Sequence, residues 1–262
     1  MEVRIEPPED IEAEYRLAVV AFLSRTNAAA RNFARDGDGL NRNSIANLIT
    51  RLRASANTWL ADGIDGAGVV IISRRGAGNR AIRRAIIGTE RNQRERLIDG
   101  ATRAGVLNAN RILTRSRFDA IIRSTITRNV GLIRDVTNQQ QLLIEDALLQ
   151  AWIRPELRGE PLIEQINSIQ GRGRNRAALI ANNEIGSLHS TLQQGRFQDL
   201  GIEEYVWRTA QDERVRTSPV SHVALNGRTF RVGESTDAEG GLPPGGPIRC
   251  RCVAIPTFVV NS

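Results

Sequence analysis

The 262-residue sequence contains no lysine: all 36 of its basic residues are arginine. It has two histidines and two cysteines, and aromatic residues make up only 4% of it. Each scarcity excludes something. Without lysine there is no G-K-[ST] phosphate loop, so the glycine-rich stretch from Gly63 to Gly78 resembles a nucleotide site only superficially. Cys250 and Cys252, at C-x-C spacing, cannot form a disulfide framework, and a bridge between them would be strained. The chain reads as a protein of a reducing cytoplasm. Few aromatics leave the core to Leu, Ile, Val and Ala, which favours helices packed on helices and disfavours base stacking on single strands. No run of about 18 apolar residues is present, which excludes a membrane span. The acidic, polar start does not read as a secretory signal. H-E-x-x-H, a nucleophile elbow and clustered carboxylates are also missing.

What is there is unevenly distributed. The length suits one large domain or two modest ones, and 40% hydrophobic with 25% charged residues is ordinary for a globular chain. The formal net charge of +7 is local: residues 70–135 hold fifteen arginines against five acids, while residues 201–262 hold seven of each. The first fourteen residues carry six acids against Arg4 alone. Arg74, Arg75, Arg83, Arg84, Arg91 and Arg94 form the heart of the basic stretch. Such a stretch suits a phosphate backbone or an acidic protein surface, and equally the solvated faces of helices.

Hydrophobic periodicity places helices over most of the chain. Ile11, Tyr15, Val19, Phe22, Thr26, Ala29 and Phe33 form one stripe, predicting a helix over 10–35 behind Pro7-Pro8-Glu9-Asp10. Asp36–Gly39 ends it. Ile45, Leu48, Ile49, Leu52, Ala56, Trp59 and Leu60 form a second stripe, capped at Asn43 or Ser44 and closed by Asp62-Gly63. Val69–Ile72 is a short strand or the start of a buried helix. Helix follows over 79–115 and again over 116–152, with Gly131 and the Asn138–Gln141 tract as candidate breaks. A short helix over 161–170, a Gly171–Arg174 linker and a helix over 175–199 carrying a surface or half-buried His189 complete this part. The reading then turns to β. It gives a strand over 204–208, a hairpin over 224–232 turning at Asn226-Gly227, a mobile loop from Gly233 to Gly246 and a strand over 252–257. The fold class is therefore α+β: an extended helical N-terminal domain (1–171), then a small mixed α/β domain (172–262) made of the linking helix 175–199 and a β-containing part, 201–262.

The unusual side chains gather between Trp207 and Pro256. Asp212, Arg214, Arg216 and His222 could form a buried polar network. His222, Cys250 and Cys252, with Asp212 or a water as fourth ligand, could hold a structural zinc ion. Asp212, Glu213 and His222 could serve a metal-dependent hydrolase, the weakest of the three patterns.

The motifs W-x-T-A-x-D-x-R-V-R (207–216), His222, L-N-G (225–227) and P-P…P-x-x-C-R-C (243–252) occur together and in order. With the upstream Ala177–Glu184 run, this order resembles the Mu protein F-like minor head proteins of tailed bacteriophages. Asn182 and Asn183 stand where that family usually carries arginine and threonine. The resemblance covers roughly residues 150–256. It implies a non-enzymatic minor capsid protein at the portal vertex inside the head, assembled in the host cytoplasm and assisting capsid assembly, DNA packaging or ejection. Its implied partners are the portal protein, the major capsid or scaffolding protein, and packaged double-stranded DNA, with no membrane. A basic DNA-binding internal head protein is the alternative. Some members carry a toxin domain after C-R-C, and ten residues past Cys252 leave no room for one in this sequence.

Overall fold

The computed structural model describes residues 5–35, 40–60, 63–64, 70–71, 76–213 and 215–258. In chain order the elements are α1 (Glu9–Arg35), α2 (Arg42–Leu60), β1 (Gly63–Ile64), β2 (Val70–Ile71), α3 (Ala77–Arg103), α4 (Ala109–Ile112), α5 (Asp119–Ile153), α6 (Glu160–Asp199), β3 (Glu204–Arg208), α7 (His222–Leu225), β4 (Thr229–Arg231) and β5 (Val253–Pro256). This is the expected α+β arrangement, with a long helical region followed by a small antiparallel sheet of order β4-β3-β5. Among the described residues, no helix is long and apolar enough to cross a membrane. The turns expected at Asp36–Gly39 and Asp62, and the residues Arg74, Arg75 and Arg214, lie outside the described residues. Of the run 69–72, Val70 and Ile71 are described, and they pair antiparallel with Ile64 and Gly63.

The chain forms two compact units that interleave in sequence, where the sequence reading divides it linearly at 171/172. A helical unit comprises residues 13–83 and 127–181, and a sheet unit comprises 1–12, 84–126 and 182–262. A linear division follows the change from helical to β periodicity, but compactness follows which faces are buried together.

In the helical unit, every residue of the α2 stripe is buried. The buried face of α1 turns by one residue past its midpoint: Asn27, Ala30 and Ala34 are buried where Thr26, Ala29 and Phe33 were expected, with Ala30 and Ala34 in the core and Phe33 packed at its edge. The α2 cap lies earlier than expected. Asn41 Oδ1 accepts from the Ser44 backbone N–H at 3.0 Å, and Ser44 Oγ accepts from the Asn41 N–H at 3.1 Å, a reciprocal capping box. Ala30, Ala34, Ile45, Leu48, Ile49 and Leu52 share a core with Ile144, Leu148, Leu162, Ile166 and Ile169. Phe22 and Trp59 stack at 4.3 Å with planes 8° apart.

Two expected interruptions do not occur. α5 runs unbroken through Gly131 and Asn138–Gln141, and α6 is one 40-residue helix through Gly171–Arg174. The polar tract stays helical because its amides have partners. Gln140 Nε2 donates to the Ile169 carbonyl at 3.2 Å, and Gln141 Nε2 donates to that of Leu52 at 3.3 Å. Gly173 is a packing glycine: a Cβ there would lie 1.8 Å from Gln140 Nε2. The glycines that suggested a linker in sequence include one that admits a neighbouring helix.

In the sheet unit, β3 alternates, with Tyr205 and Trp207 buried between exposed or half-buried neighbours. It pairs antiparallel with β4 through Tyr205–Phe230 and with β5 through Trp207–Ala254. Tyr205, Phe197, Ile202, Leu97, Leu113 and Ala254 form a core that also buries Ile5 completely. The acidic N-terminal stretch is therefore anchored by Ile5. The expected 224–232 hairpin is absent. Residues 222–225 form the helical turn α7, and Leu225–Arg228 is a turn closed by Arg228 N–H to Leu225 O at 3.0 Å. Asn226 at φ −60°, ψ 125° and Gly227 at φ 82° give it the type II pattern, where a hairpin turn would need positive φ at Asn226 as well. The Asn226 side chain is engaged elsewhere: its Oδ1 accepts from the Thr209 N–H at 3.1 Å. The 233–246 loop, expected to be mobile, is tied to itself. Thr236 Oγ1 donates to Leu242 O at 2.5 Å, and the Thr236 N–H donates to Gly241 O at 3.0 Å.

Candidate functional site

The C-R-C segment leads into β5, and its side chains alternate. Cys250 and Cys252 face His222, while Arg251 between them faces away and grips Asp212 with two hydrogen bonds of 2.7 and 2.6 Å. This alternation gives i, i+2 spacing a purpose: two sulfurs reach one side of an extended segment. His222 opens α7, whose cap is Ser221 Oγ accepting from the Ala224 N–H at 3.4 Å. The His222 backbone N–H donates to Arg216 O at 2.9 Å, and its ring meets the Trp207 indole edge-on at 5.4 Å.

The imidazole is held from both sides. Nδ1 lies 3.5 Å from Cys250 Sγ and 3.6 Å from Cys252 Sγ, while Nε2 lies 2.8 Å from Glu239 Oε2. Glu239 Oε1 in turn accepts from Arg216 Nη1 at 2.5 Å, and Arg216 Nη2 donates to Ile248 O. His222 and Cys252 are buried and Cys250 is half-buried. Among the described residues, His222, Cys250 and Cys252 bring three possible ligand atoms within 4.8 Å of one another. A small cavity beside them is lined by Ala210, Val215, Arg216, Arg249 and Arg251 as well as by the cluster itself.

The electrostatics follow from these contacts. A hydrogen bond from Cys252, with others from His222 and the Gly245 N–H, brings the Cys250 thiol down to about 5 against the cost of its burial. The same partnership and burial push Cys252 up. His222 is raised by its bond to Cys250 and, against its own burial, by Glu239. Glu239 is held down at about 2 by Arg216 and His222, despite desolvation.

This geometry corrects the expected network. Arg216 and His222 are joined, but by Glu239. Among the described residues, Asp212 is exposed and paired with Arg251, and it is not one of the three candidate ligands. The sequence reading missed Glu239 and Arg251. Glu239 sits in a Gly- and acid-rich loop without periodicity, and Arg251 was masked by the cysteines that flank it. Glu213, proposed as a hydrolase carboxylate, is exposed and outside the cluster.

A second buried polar group lies elsewhere in the sheet unit. Arg196 is fully buried on α6. It pairs with Glu90 at 2.6 Å, donates to Gln93 Oε1 at 2.6 Å and lies 5.1 Å from the Phe118 ring centroid. His189, expected at or near the surface, is buried beside it, and its carbonyl accepts from Gln93 Nε2 at 2.6 Å. Burial, then Arg196 and Arg96, lower the His189 imidazole to about 3, so it is neutral.

The basic patch is partly spent within the protein. Arg94 leans on the buried Glu90 at 3.4 Å, and Arg91 forms an i, i+4 pair with Glu95 at 2.9 Å. Arg84 is exposed and Arg83 half-buried.

Residues 143–255 match the family described as Phage Mu protein F like protein. An uncharacterized protein of Haemophilus influenzae is 33% identical over 135 residues, which is 51% of this chain and 29% of that protein. The match thus spans under a third of the relative's length. No solved structure matches the chain. The matched segment contains α6, β3, β4, all but the last residue of β5 and the whole histidine–cysteine cluster.

Proposed function

We propose, on the premise that residues 143–255 are a Mu protein F-like segment, that this chain is a minor head protein of a tailed bacteriophage, bound at the portal vertex and acting in head morphogenesis. The family match is the observation that carries the reading. It points to a structural rather than catalytic role, and to the virion as the location. The surface adds support. Four large apolar side chains in the second half of α5, Leu142, Leu143, Trp152 and Ile153, are exposed, with Glu145 and the exposed Asp146 between the two pairs. Of the α3 arginines, Arg94 is committed to the buried Glu90, which takes one arginine from the alternative of a protein devoted to the packaged DNA.

Co-expression with the portal and capsid proteins of the same phage tests this. The chain should co-purify with portal rings and sediment with heads at high salt, because an apolar interface resists salt while phosphate contacts weaken steeply. Leu142→Glu with Ile153→Glu should block incorporation. Arg84→Gln with Arg91→Gln should reduce DNA retention more than incorporation. The reverse pattern would favour the DNA-directed reading, and a chain that never enters heads would end both. Deleting residues 1–62 is not a clean test, since it removes Ile5 from the sheet-unit core and α2 from the helical-unit core.

A further inference from the structure

We propose that His222 Nδ1, Cys250 Sγ and Cys252 Sγ bind one zinc ion, with Glu239 as the positioning residue and the fourth ligand a water in the adjoining cavity. The spacing of the three atoms is the first argument. With Zn–S near 2.3 Å and Zn–N near 2.05 Å, a tetrahedral ion needs N···S edges of about 3.6 Å. His222 Nδ1 stands 3.5 and 3.6 Å from the two sulfurs. Both N···S edges therefore match those of a tetrahedral site, and the two sulfurs lie within 4.8 Å of each other.

The second argument is the far side of the imidazole. Nε2 faces Glu239 Oε2 at 2.8 Å, which keeps the ring proton on Nε2 and leaves the Nδ1 lone pair directed at the sulfurs. A carboxylate on the non-ligating nitrogen is the usual support of a zinc histidine, and here Arg216 fixes that carboxylate in turn. The third is donor type. Two thiolates and one imidazole form a soft set that selects zinc over magnesium or calcium. Uptake converts the cysteines to thiolates and releases the thiol protons to solvent. The fourth corner belongs to the cavity, because Asp212 is turned to Arg251. The ion would tie α7 to the segment entering β5, joining the His222 and C-R-C motifs in one cross-link. None of this rests on the assembly role.

Full-length protein purified under reducing conditions without chelator should carry about one zinc per chain, and chelation should lower its Tm. Adding Co2+ to the chelated protein should give the thiolate-to-cobalt charge-transfer band and the intense visible bands of a tetrahedral site. Cys250→Ser and Cys252→Ser should each lose stoichiometric metal. Should those variants fail to fold, the cobalt spectrum of the wild-type chain decides alone. Glu239→Gln should weaken Zn2+ binding about 10- to 100-fold, with the Tm of the chelated protein unchanged. A purely structural Glu239 would instead lower that Tm and leave Zn2+ affinity intact. Absence of zinc after dialysis against Zn2+, together with no charge-transfer band with Co2+, would overturn the proposal and leave a hydrogen-bonded thiol pair.

Discussion

The two units bury polar groups of different kinds. In the helical unit they are amides and hydroxyls, such as Asn27, Asn129, Thr137, Gln140, Gln141 and Gln170. In the sheet unit they include Glu90, His189, Arg196 and His222, groups that carry or can take up charge. A buried amide costs little once it has a carbonyl to donate to. A buried ion depends on its partner, and losing the partner leaves a charge with nothing to offset its desolvation. The helical unit should therefore tolerate single polar changes and changes of pH, and the sheet unit should not.

The largest expected effect removes one partner of the buried ion pair. Glu90→Ala leaves the Arg196 guanidinium without its carboxylate and should destabilise the sheet unit by about 3–5 kcal/mol. Arg53→Ala, which breaks the exposed Arg53–Glu145 pair of the helical unit, should change stability by no more than about 0.5 kcal/mol. Trp207 and Trp59, one in each unit, can report denaturant unfolding separately once the other tryptophans are replaced by phenylalanine. Glu90→Leu combined with Arg196→Met should recover much of the loss, since a packed apolar pair needs no counter-charge. Equal losses in both units would erase the contrast.

Acid sharpens the same contrast. His189 stays neutral in the folded chain down to about pH 3, whereas in the unfolded chain it takes up a proton below about pH 6.5. Between those values the unfolded state binds more protons, so stability falls as pH falls, by roughly 1.4 kcal/mol per pH unit. His189 lies in the sheet unit, so Trp207 should report acid unfolding before Trp59 does. His189→Gln should flatten the acid limb. An unchanged limb would mean that His189 is not the group that titrates.

A smaller effect sits in the helical unit, where two neighbouring glycines should respond with opposite sign. Gly171 meets nothing within 4 Å of a built Cβ, so Gly171→Ala should stabilise by up to about 1 kcal/mol through helix propensity. Gly173→Ala drives Gln140 off the Ile169 carbonyl, and the lost buried hydrogen bond should outweigh that gain by about 1 kcal/mol. Thermal melts of the two single variants distinguish a packing glycine from a linker glycine. Two stabilising changes would mean that Gln140 relaxes at no cost.

That pair also shows what the sequence could and could not tell. Stripes of apolar residues located α1, α2 and β3 because burial on one face leaves a period in the sequence. Gly171–Arg174 and Asn138–Gln141 misled because each was judged alone, as a breaker or a polar tract, while their helical state depends on a partner far away in the chain. Asn226-Gly227 did mark a turn, but whether it joins two strands depends on what occupies the other side, here Thr209. In the candidate site, the rare residues His222, Cys250 and Cys252 were visible as a set. Glu239 was not, since a carboxylate in an aperiodic loop gives no sign of which imidazole it will meet.

Asp212 supplies the smallest effect and the sharpest test of the site's membership. As a member of a buried network it would be worth about 3–5 kcal/mol. Its side chain, however, is 35% exposed and that of Arg251 40% exposed. Solvent screens such a pair, and ordering two side chains offsets part of the attraction, so Asp212→Ala should cost at most about 1 kcal/mol even with bidentate geometry. The loss should shrink as salt is added. The charge-swapped pair Asp212→Arg with Arg251→Asp should recover part of it. Zinc content should not change in Asp212→Ala, because the carboxylate faces away from the sulfurs on the arginine between them. If Asp212→Ala loses metal while its fold is intact, the carboxylate is the fourth ligand and the cavity water is not. If instead it unfolds the sheet unit, Asp212 belongs with Glu90 among the carboxylates whose loss leaves a buried charge behind.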